Sequence, residues 1–317
     1  MKPTVLVTER IHQIGRETLQ NAAEVVTWPG EEQQPLIDAV RDVQGILVRV
    51  AKLSPDVIRA AAKLKVIGKH GVGYDNIDIP TATACKVLVT NTPLANSTSV
   101  AEHALALLLA VARRIGESDR DLARGNVRGQ KVYQGIELSG KVMGVIGLGS
   151  AGLQLARMTA NGFGMRVLGF DPYKDPWPEG IEHCTSLEPL LRQSDFLSIH
   201  VPLTKETRNL IDAATLRLLK PTAVLVNTAR GGIVDEGAVA EALKAEHLGG
   251  AGLDVVVDEP LKATHPLNGV PNLILTPHIA GVTEEAMMRM ARDSAEEIVR
   301  VLRGERPKWP VNRELLQ

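Results

Sequence analysis

Three side chains of different chemistry follow three apolar, strand-like runs: Arg230 after "AVLVNTA", Glu259 after "GLDVVV" and His278 after "NLILT". A guanidinium at a strand end can clamp a carboxylate through two parallel hydrogen bonds. A carboxylate beside an imidazole orients the ring and favours its protonated form, giving a proton donor and acceptor usable near neutral pH. Taken singly, each residue has a plainer alternative. His278 can be a core histidine, Arg230 a surface arginine paired with a helix acid, and Glu259 a solvated loop residue. Together at successive strand ends they form a working set: an anion anchor, a carboxylate partner and a general acid/base.

A fourth feature in the same half of the chain supplies what that set lacks. Gly147, Gly149 and Gly152 spell G-x-G-x-x-G between the run "KVMGVIG" and a helical pattern. Gly147 permits the tight turn, Gly149 lets the backbone approach a pyrophosphate, and Gly152 lets helix and strand pack closely. The helix start offers amides and a positive dipole end to phosphates. The next run, "RVLGFD", ends in Asp171, about 20 residues on, where an acid grips a ribose 2′-hydroxyl. An acid there repels a 2′-phosphate, so NAD is expected in preference to NADP. Asp254, read as lying inside a strand, is expected to face a ligand amide or a backbone donor, because a buried carboxylate needs an answering group.

These residues require a scaffold of parallel strands. Short β-branched runs at 4–8, 24–28, 45–50, 64–69 and 86–92 form one series. A second follows at 141–147, 166–171, 195–201, 223–229, 252–257 and 272–276. Amphipathic segments such as 55–63, 151–162, 212–219 and 235–246 alternate with them, as in α/β folds with helices on both sheet faces. The stretch beginning "NSTSVAEHALALLLA" opens with a capping pair, Ser99 and Glu102, and stays helix-compatible for about seven turns. It is read as the joint between two α/β units. A last helix at 283–305 returns to the first unit, making that unit discontinuous. The net charge of −1 gives no electrostatic reason for nucleic acid or anionic membrane as a partner. The longest apolar run, 104–112, is far shorter than the ~20 residues a bilayer needs. Cys85 and Cys184 fit no metal spacing or disulfide framework, so no metal is expected and a reducing cytoplasm is the expected home.

The motifs "GLGSAG" with Asp171, "HVPLTKETRNLI", "LVNTARGGIVDEGAV", "GAGLDVVVDEP" and "TPHIAG", with "GVGYDNIDI" and "NTPLANSTSVAEHALALLLA" before them, resemble those of the D-isomer-specific 2-hydroxyacid dehydrogenases. The resemblance runs from about residue 45 to 285. It implies that Arg230, Glu259 and His278 are the catalytic set. Thr228, Ala229 and Asp254 would touch the nicotinamide end of NAD, Ser150 and Ala151 the pyrophosphate, and Val201 and Pro202 the adenosine side. Thr207, His278 and Gly281 are also read as cofactor contacts.

The implied fold is two doubly wound parallel-sheet domains. A Rossmann NAD-binding domain (99–281) is inserted into a flavodoxin-like substrate domain (1–98 and 282–317). The cleft would close by hinge motion, and the long helix would help build a homodimer. Substrate choice would lie in Arg49, Lys69, His70, Gly71, Val72 and Gly73, the glycine loop giving amides to a carboxylate. Arg49, Lys52 and Lys69 add positive charge for a distal phosphate, which favours 3-phosphoglycerate. Phosphoglycerate-type members carry Arg and a small residue where this chain has Lys69 and His70. That departure keeps hydroxypyruvate and glyoxylate open, and a solvated loop edge is the plain alternative for both residues. A rival of another class is an NAD-sensing corepressor-like protein. A formate-dehydrogenase-like reading is disfavoured, since those relatives have Gln in place of Glu259.

Overall fold

A computed structural model describes residues 2–126 and 128–316. The chain divides into two compact units, residues 1–96 with 282–317 and residues 97–281. The first holds β1 (Thr4–Val7), β2 (Glu24–Thr27), β3 (Gly45–Val48), β4 (Val66–Lys69) and β5 (Leu88–Thr90), all parallel in the order β2-β1-β3-β4-β5. This is the flavodoxin-like doubly wound order. Strands β3 and β4 are buried from end to end. Ile46 and Val48 face one core while Leu47 faces the other, as a period of two requires. The helix Glu284–Leu302 closes the second of these cores through Ala291, Ala295 and Ile298. Thr283 caps it by accepting the Ala286 amide at 3.1 Å, with Glu284 and Glu285 in the first turn to complement the dipole.

The second unit holds β6 (Val142–Ile146), β7 (Arg166–Phe170), β8 (Glu182–His183), β9 (Phe196–Ile199), β10 (Val224–Asn227), β11 (Gly250–Leu253) and β12 (Leu273–Leu275). Their order is β12-β11-β10-β9-β6-β7-β8, all parallel. Winding reverses between β6 and β9, which makes the carboxyl end of β6 the switch point where ligands of such sheets bind. Val224 and Val226 face one core and Leu225 the other.

Three elements depart from the expectations. The two-residue strand β8 was not anticipated. Strand β11 is "GAGL", not the β-branched 252–257, and Val255 to Val257 run on beyond the sheet. The reason is close packing. A Cβ at Gly250 would lie 2.4 Å from Val111 Cγ1, and one at Gly252 would lie 2.9 Å from Leu107 Cβ. The helix Ser97–Ala112 therefore rests on a strand that begins Gly-Ala-Gly.

That helix is the third departure. It begins at Ser97, so Ser99 lies within its first turn. It stops after 16 residues instead of running seven turns. The carbonyl of Ala112 accepts the Ile136 amide at 2.9 Å, and Arg114 turns left-handed at φ +53° before a second helix, Ile115–Ala123.

Among the described residues no helix is long and apolar enough to cross a membrane, and no His/Cys/Asp/Glu group could hold a metal ion. Both cysteines are free.

Candidate active site

The glycine turn sits at the carboxyl end of β6. Gly147 has φ +88°, and a Cβ on it would lie 2.7 Å from the His200 carbonyl oxygen. A Cβ on Gly152 would lie 2.1 Å from the Gly147 carbonyl oxygen. Protein packing thus accounts for both glycines. Gly149 is different, because its φ of −68° suits any residue and a Cβ there would meet nothing within 4 Å.

Among the described residues no contact requires glycine at 149. Its bare backbone suits close approach of a diphosphate to the helix Ser150–Phe163, whose N-terminus no side chain caps. Ser150 and Ala151 are its first residues. Asp171, just after β7, accepts the Leu148 amide at 2.8 Å and the Tyr173 amide at 3.0 Å. Its carboxylate therefore braces the turn, and each oxygen retains a further lone pair for a ribose hydroxyl. Val201 flanks Gly147. The Thr207 hydroxyl donates to the Pro202 carbonyl at 2.6 Å and accepts the Thr204 amide, closing that loop on itself.

His200, which belongs to none of the expected site residues, joins this corner. Its Nε2 lies 2.9 Å from the Ser198 hydroxyl, and burial of the ring pushes its pKa down to about 4, leaving it neutral. The alternation of polar Ser198 and His200 at the end of an apolar strand was the available signal.

At the end of β10, buried Asn227 folds the chain back. Its amide nitrogen donates to the Arg230 carbonyl at 2.8 Å, and its oxygen accepts the Ala229 amide at 3.0 Å. The Arg230 guanidinium reaches the Ala229 carbonyl at 2.6 Å. The Thr228 hydroxyl is buried with no hydrogen-bond partner among the described residues, so a ligand group could take it up.

Glu259 and His278 come together. His278 Nδ1 lies 2.8 Å from Glu259 Oε2, and the two side chains remain 48% and 39% exposed. With the Nδ1 proton donated to the carboxylate, Nε2 is the ring atom left for a substrate. His278 has left-handed backbone at φ +55°, a conformation that costs a non-glycine residue about 1–3 kcal/mol and persists only where neighbours enforce it.

Asp254 is that enforcement. It lies one residue past β11, where backbone donors answer its buried carboxylate. Its carbonyl accepts the His278 amide at 2.8 Å, and its carboxylate accepts the amides of Ile279 and Ala280 at 2.9 and 2.8 Å and the Thr276 hydroxyl at 2.5 Å. Burial alone would raise its pKa. Hydrogen bonds from His103, Thr276 and the two amides outweigh that and hold it below the usual carboxylate value. His103, also unanticipated, places Nε2 3.0 Å from the Thr276 hydroxyl. Gly281 is the last residue of this unit.

In the first unit the expected substrate residues are less open than a solvated loop edge. Lys69 is buried at the end of β4, and its ammonium donates to the Arg49 carbonyl and to Asn76 Oδ1. His70 is buried as well, and burial, followed by the Arg49 charge, pushes its pKa down to about 4. The Gly71 amide, at φ +127°, donates to the Thr92 hydroxyl at 3.1 Å.

The model of the D-isomer specific 2-hydroxyacid dehydrogenase NAD binding domain matches residues 105–280. The chain is 42% identical to a D-3-phosphoglycerate dehydrogenase of Methanocaldococcus jannaschii, over 97% of this chain and 59% of that protein. It is 39% identical to a glyoxylate reductase of Thermococcus litoralis, over 100% of this chain and 98% of that protein. It therefore spans little more than half the length of the phosphoglycerate dehydrogenases it matches. A solved Thermus thermophilus protein superposes with a TM-score of 0.89 at 36% identity, covering 97% of this chain and 99% of that one.

Proposed function

Because the chain belongs to the D-isomer specific 2-hydroxyacid dehydrogenase family, we propose that it interconverts a D-2-hydroxy acid and its 2-keto acid with NAD as the redox partner. The observation that carries this reading is the 2.8 Å Glu259–His278 pair, in the same compact unit as a glycine turn whose Gly149 has no packing reason to be glycine. Bound NAD supplies or accepts the hydride. Arg230 holds the substrate carboxylate and polarises the C2 oxygen. Glu259 holds the Nδ1 proton of His278, so that Nε2 takes the hydroxyl proton in oxidation and returns it in reduction. The carboxylate of Asp171 disfavours a 2′-phosphate, so NADH should give a higher kcat/KM than NADPH.

For the substrate, the reading follows the charge. Lys69 is engaged by Arg49 and Asn76, which removes one of three cations offered to a distal phosphate. A short acid such as glyoxylate or hydroxypyruvate fits that better than a phosphorylated one. Exposed Lys52 and half-buried Arg49 keep 3-phosphoglycerate as the second reading.

A homodimer is also proposed. The helix Ile115–Ala123 buries none of its residues and leaves Ile115 54% and Leu122 63% exposed. Light scattering at a dimer mass tests it.

Following NADH absorbance with glyoxylate, hydroxypyruvate and 3-phosphohydroxypyruvate tests the whole reading. Turnover on an unphosphorylated acid is expected to lead. Tight NADH binding without turnover on any acid would point to an NAD-sensing regulator.

A further inference from the structure

We infer that Glu236 and His265 are positioning residues for the acid/base pair: they hold the peptide that seats Glu259 against His278. This rests on the reading of that pair given above.

Glu236 opens the helix Glu236–Lys244, directly after its cap Asp235. A carboxylate there would ordinarily face water, yet Glu236 is 9% exposed. Its Oε1 accepts the Val257 amide at 2.7 Å, and its Oε2 lies 3.0 Å from His265 Nε2. His265 Nδ1 in turn accepts the Leu267 amide at 3.3 Å, which puts the ring proton on Nε2, pointing at Glu236. The neighbouring amide, that of Val256, donates to Glu259 Oε1 at 3.3 Å, and Glu259 Oε2 meets His278. Two successive amides are therefore gripped by two carboxylates. One carboxylate belongs to the helix, the other to the catalytic pair.

A third contact locks the same peptide. A Cβ at Gly231 would lie 2.2 Å from the Val256 carbonyl carbon and 2.5 Å from the Val257 nitrogen. The turn that carries Arg230 thus packs backbone to backbone on the peptide that Glu236 holds. Glu259 itself stands in a stretch without helix or strand, between β11 and β12. Its orientation has to come from such anchors, because a loop side chain is otherwise free to sample positions that miss the imidazole. Burial pushes the Glu236 carboxyl up, an effect only partly offset by the Val257 amide and His265. His265 matters here because its Nε2, 3.0 Å from Oε2, fixes the carboxyl group with Oε1 turned to the Val257 amide.

The test is a double-mutant cycle in the full chain, with kinetics on a keto acid the enzyme turns over and NADH binding followed by fluorescence. E236A is expected to lower kcat about ten- to a hundredfold, with the NADH Kd unchanged, because misplacement of Glu259 affects the proton-transfer step and not the cofactor. In an E259Q background the same E236A change should cost less than about twofold, since the group it positions is already disabled. H265Q should reproduce a smaller loss in the same direction. E236Q, which keeps an acceptor for Val257, should recover most of the activity.

An undiminished loss in the E259Q background would show a general structural role and overturn the assignment. Wild-type kcat in E236A alongside a crippled E259Q enzyme would overturn it too. Wild-type turnover in E259Q alone would instead overturn the catalytic reading on which it rests. If E236A does not fold, H265Q run through the same cycle decides by the same two comparisons.

Discussion

The strands of the two sheets end in similar loops that use charge in opposite ways. In the first unit, Glu9 follows β1 and accepts the amides of Arg49 and Val50 at 2.9 Å and of Ala51 at 2.5 Å, all just beyond β3. Lys69 and Asn76 grip the same loop through the carbonyls of Arg49 and Ala51. In the second unit, that holding task falls to Asp254, which is buried, while Glu259 and His278 beyond it stay about half exposed. Lys69 and Asp254, which fasten backbone, are buried, whereas Glu9, which holds a loop with an exposed Val50, is half-buried. Glu259, which holds a single amide, and His278 keep enough exposed surface to face a ligand.

The largest effect should come from the exposed partner. H278A is expected to lower kcat by about 10²–10⁴-fold, the range for a lost general acid/base, while NADH binds within about twofold of wild type. Near-normal turnover would break the contrast at once. Next comes the buried holder. D254A leaves the amides of Ile279 and Ala280 without an acceptor, at about 1–3 kcal/mol for that of buried Ala280, and frees the left-handed backbone of His278.

D254A should therefore lower both Tm and kcat, where H278A lowers kcat alone. Calorimetry beside kinetics separates the two. Because the folded pKa of Asp254 is depressed, its stabilising contribution is present above the unfolded carboxylate value of about 4 and is lost as pH falls below it. A D254A protein that melts with the wild type would remove the holder from the argument.

A smaller effect distinguishes the units by pH. His70 folds with a pKa of about 4, against 6.5 when unfolded. Between those values the unfolded chain binds more protons, so the share of stability linked to His70 is constant above pH 6.5 and falls as pH drops toward 4. By pH 5 the loss is about 2 kcal/mol. Denaturant unfolding at pH 7 and pH 5 should show a weaker pH dependence in H70Q than in wild type. His200 in the second unit has the same sign, so H200Q should remove its own share. An unchanged slope in H70Q would mean that water reaches its ring.

What the sequence revealed follows the same division between local and distant causes. The parallel strands were readable because a strand buried on both faces is an unbroken apolar run, as "GILV" and "VMGVI" are. Strand β11 was misplaced because the neighbouring helix, not β-propensity, selects glycines there. The break at Arg114 depends on an amide 24 positions beyond Ala112 in the chain (136 − 112), a hydrogen bond with no local signature. The pairing of Glu259 with His278 could be anticipated from their places at adjacent strand ends. The Glu236–His265 pair could not, because an acid in a first helical turn looks like ordinary dipole complement. For Lys69, sequence could count a positive charge but could not show that the charge points inward.

The smallest effect tests the comparison most directly. E9A removes the acceptor for three amides, as D254A does for two, yet each amide lost should cost less. Val50 is 70% exposed, so water can reach the loop that Glu9 leaves behind, whereas the Ala280 amide lies on a residue only 3% exposed. A solvated amide replaces its lost partner with water, and the net loss per hydrogen bond is then about 0.5–1.5 kcal/mol. E9A should thus lower Tm by less for each amide lost than D254A does, and leave the NADH Kd unchanged. If the loop 49–51 helps select the substrate, KM for the keto acid should rise several-fold with kcat retained, the mark of a lost ground-state contact. If E9A instead destabilised the protein as much per amide as D254A, exposure would not be what separates the two holders, and the division between gripping and working charges would need another cause.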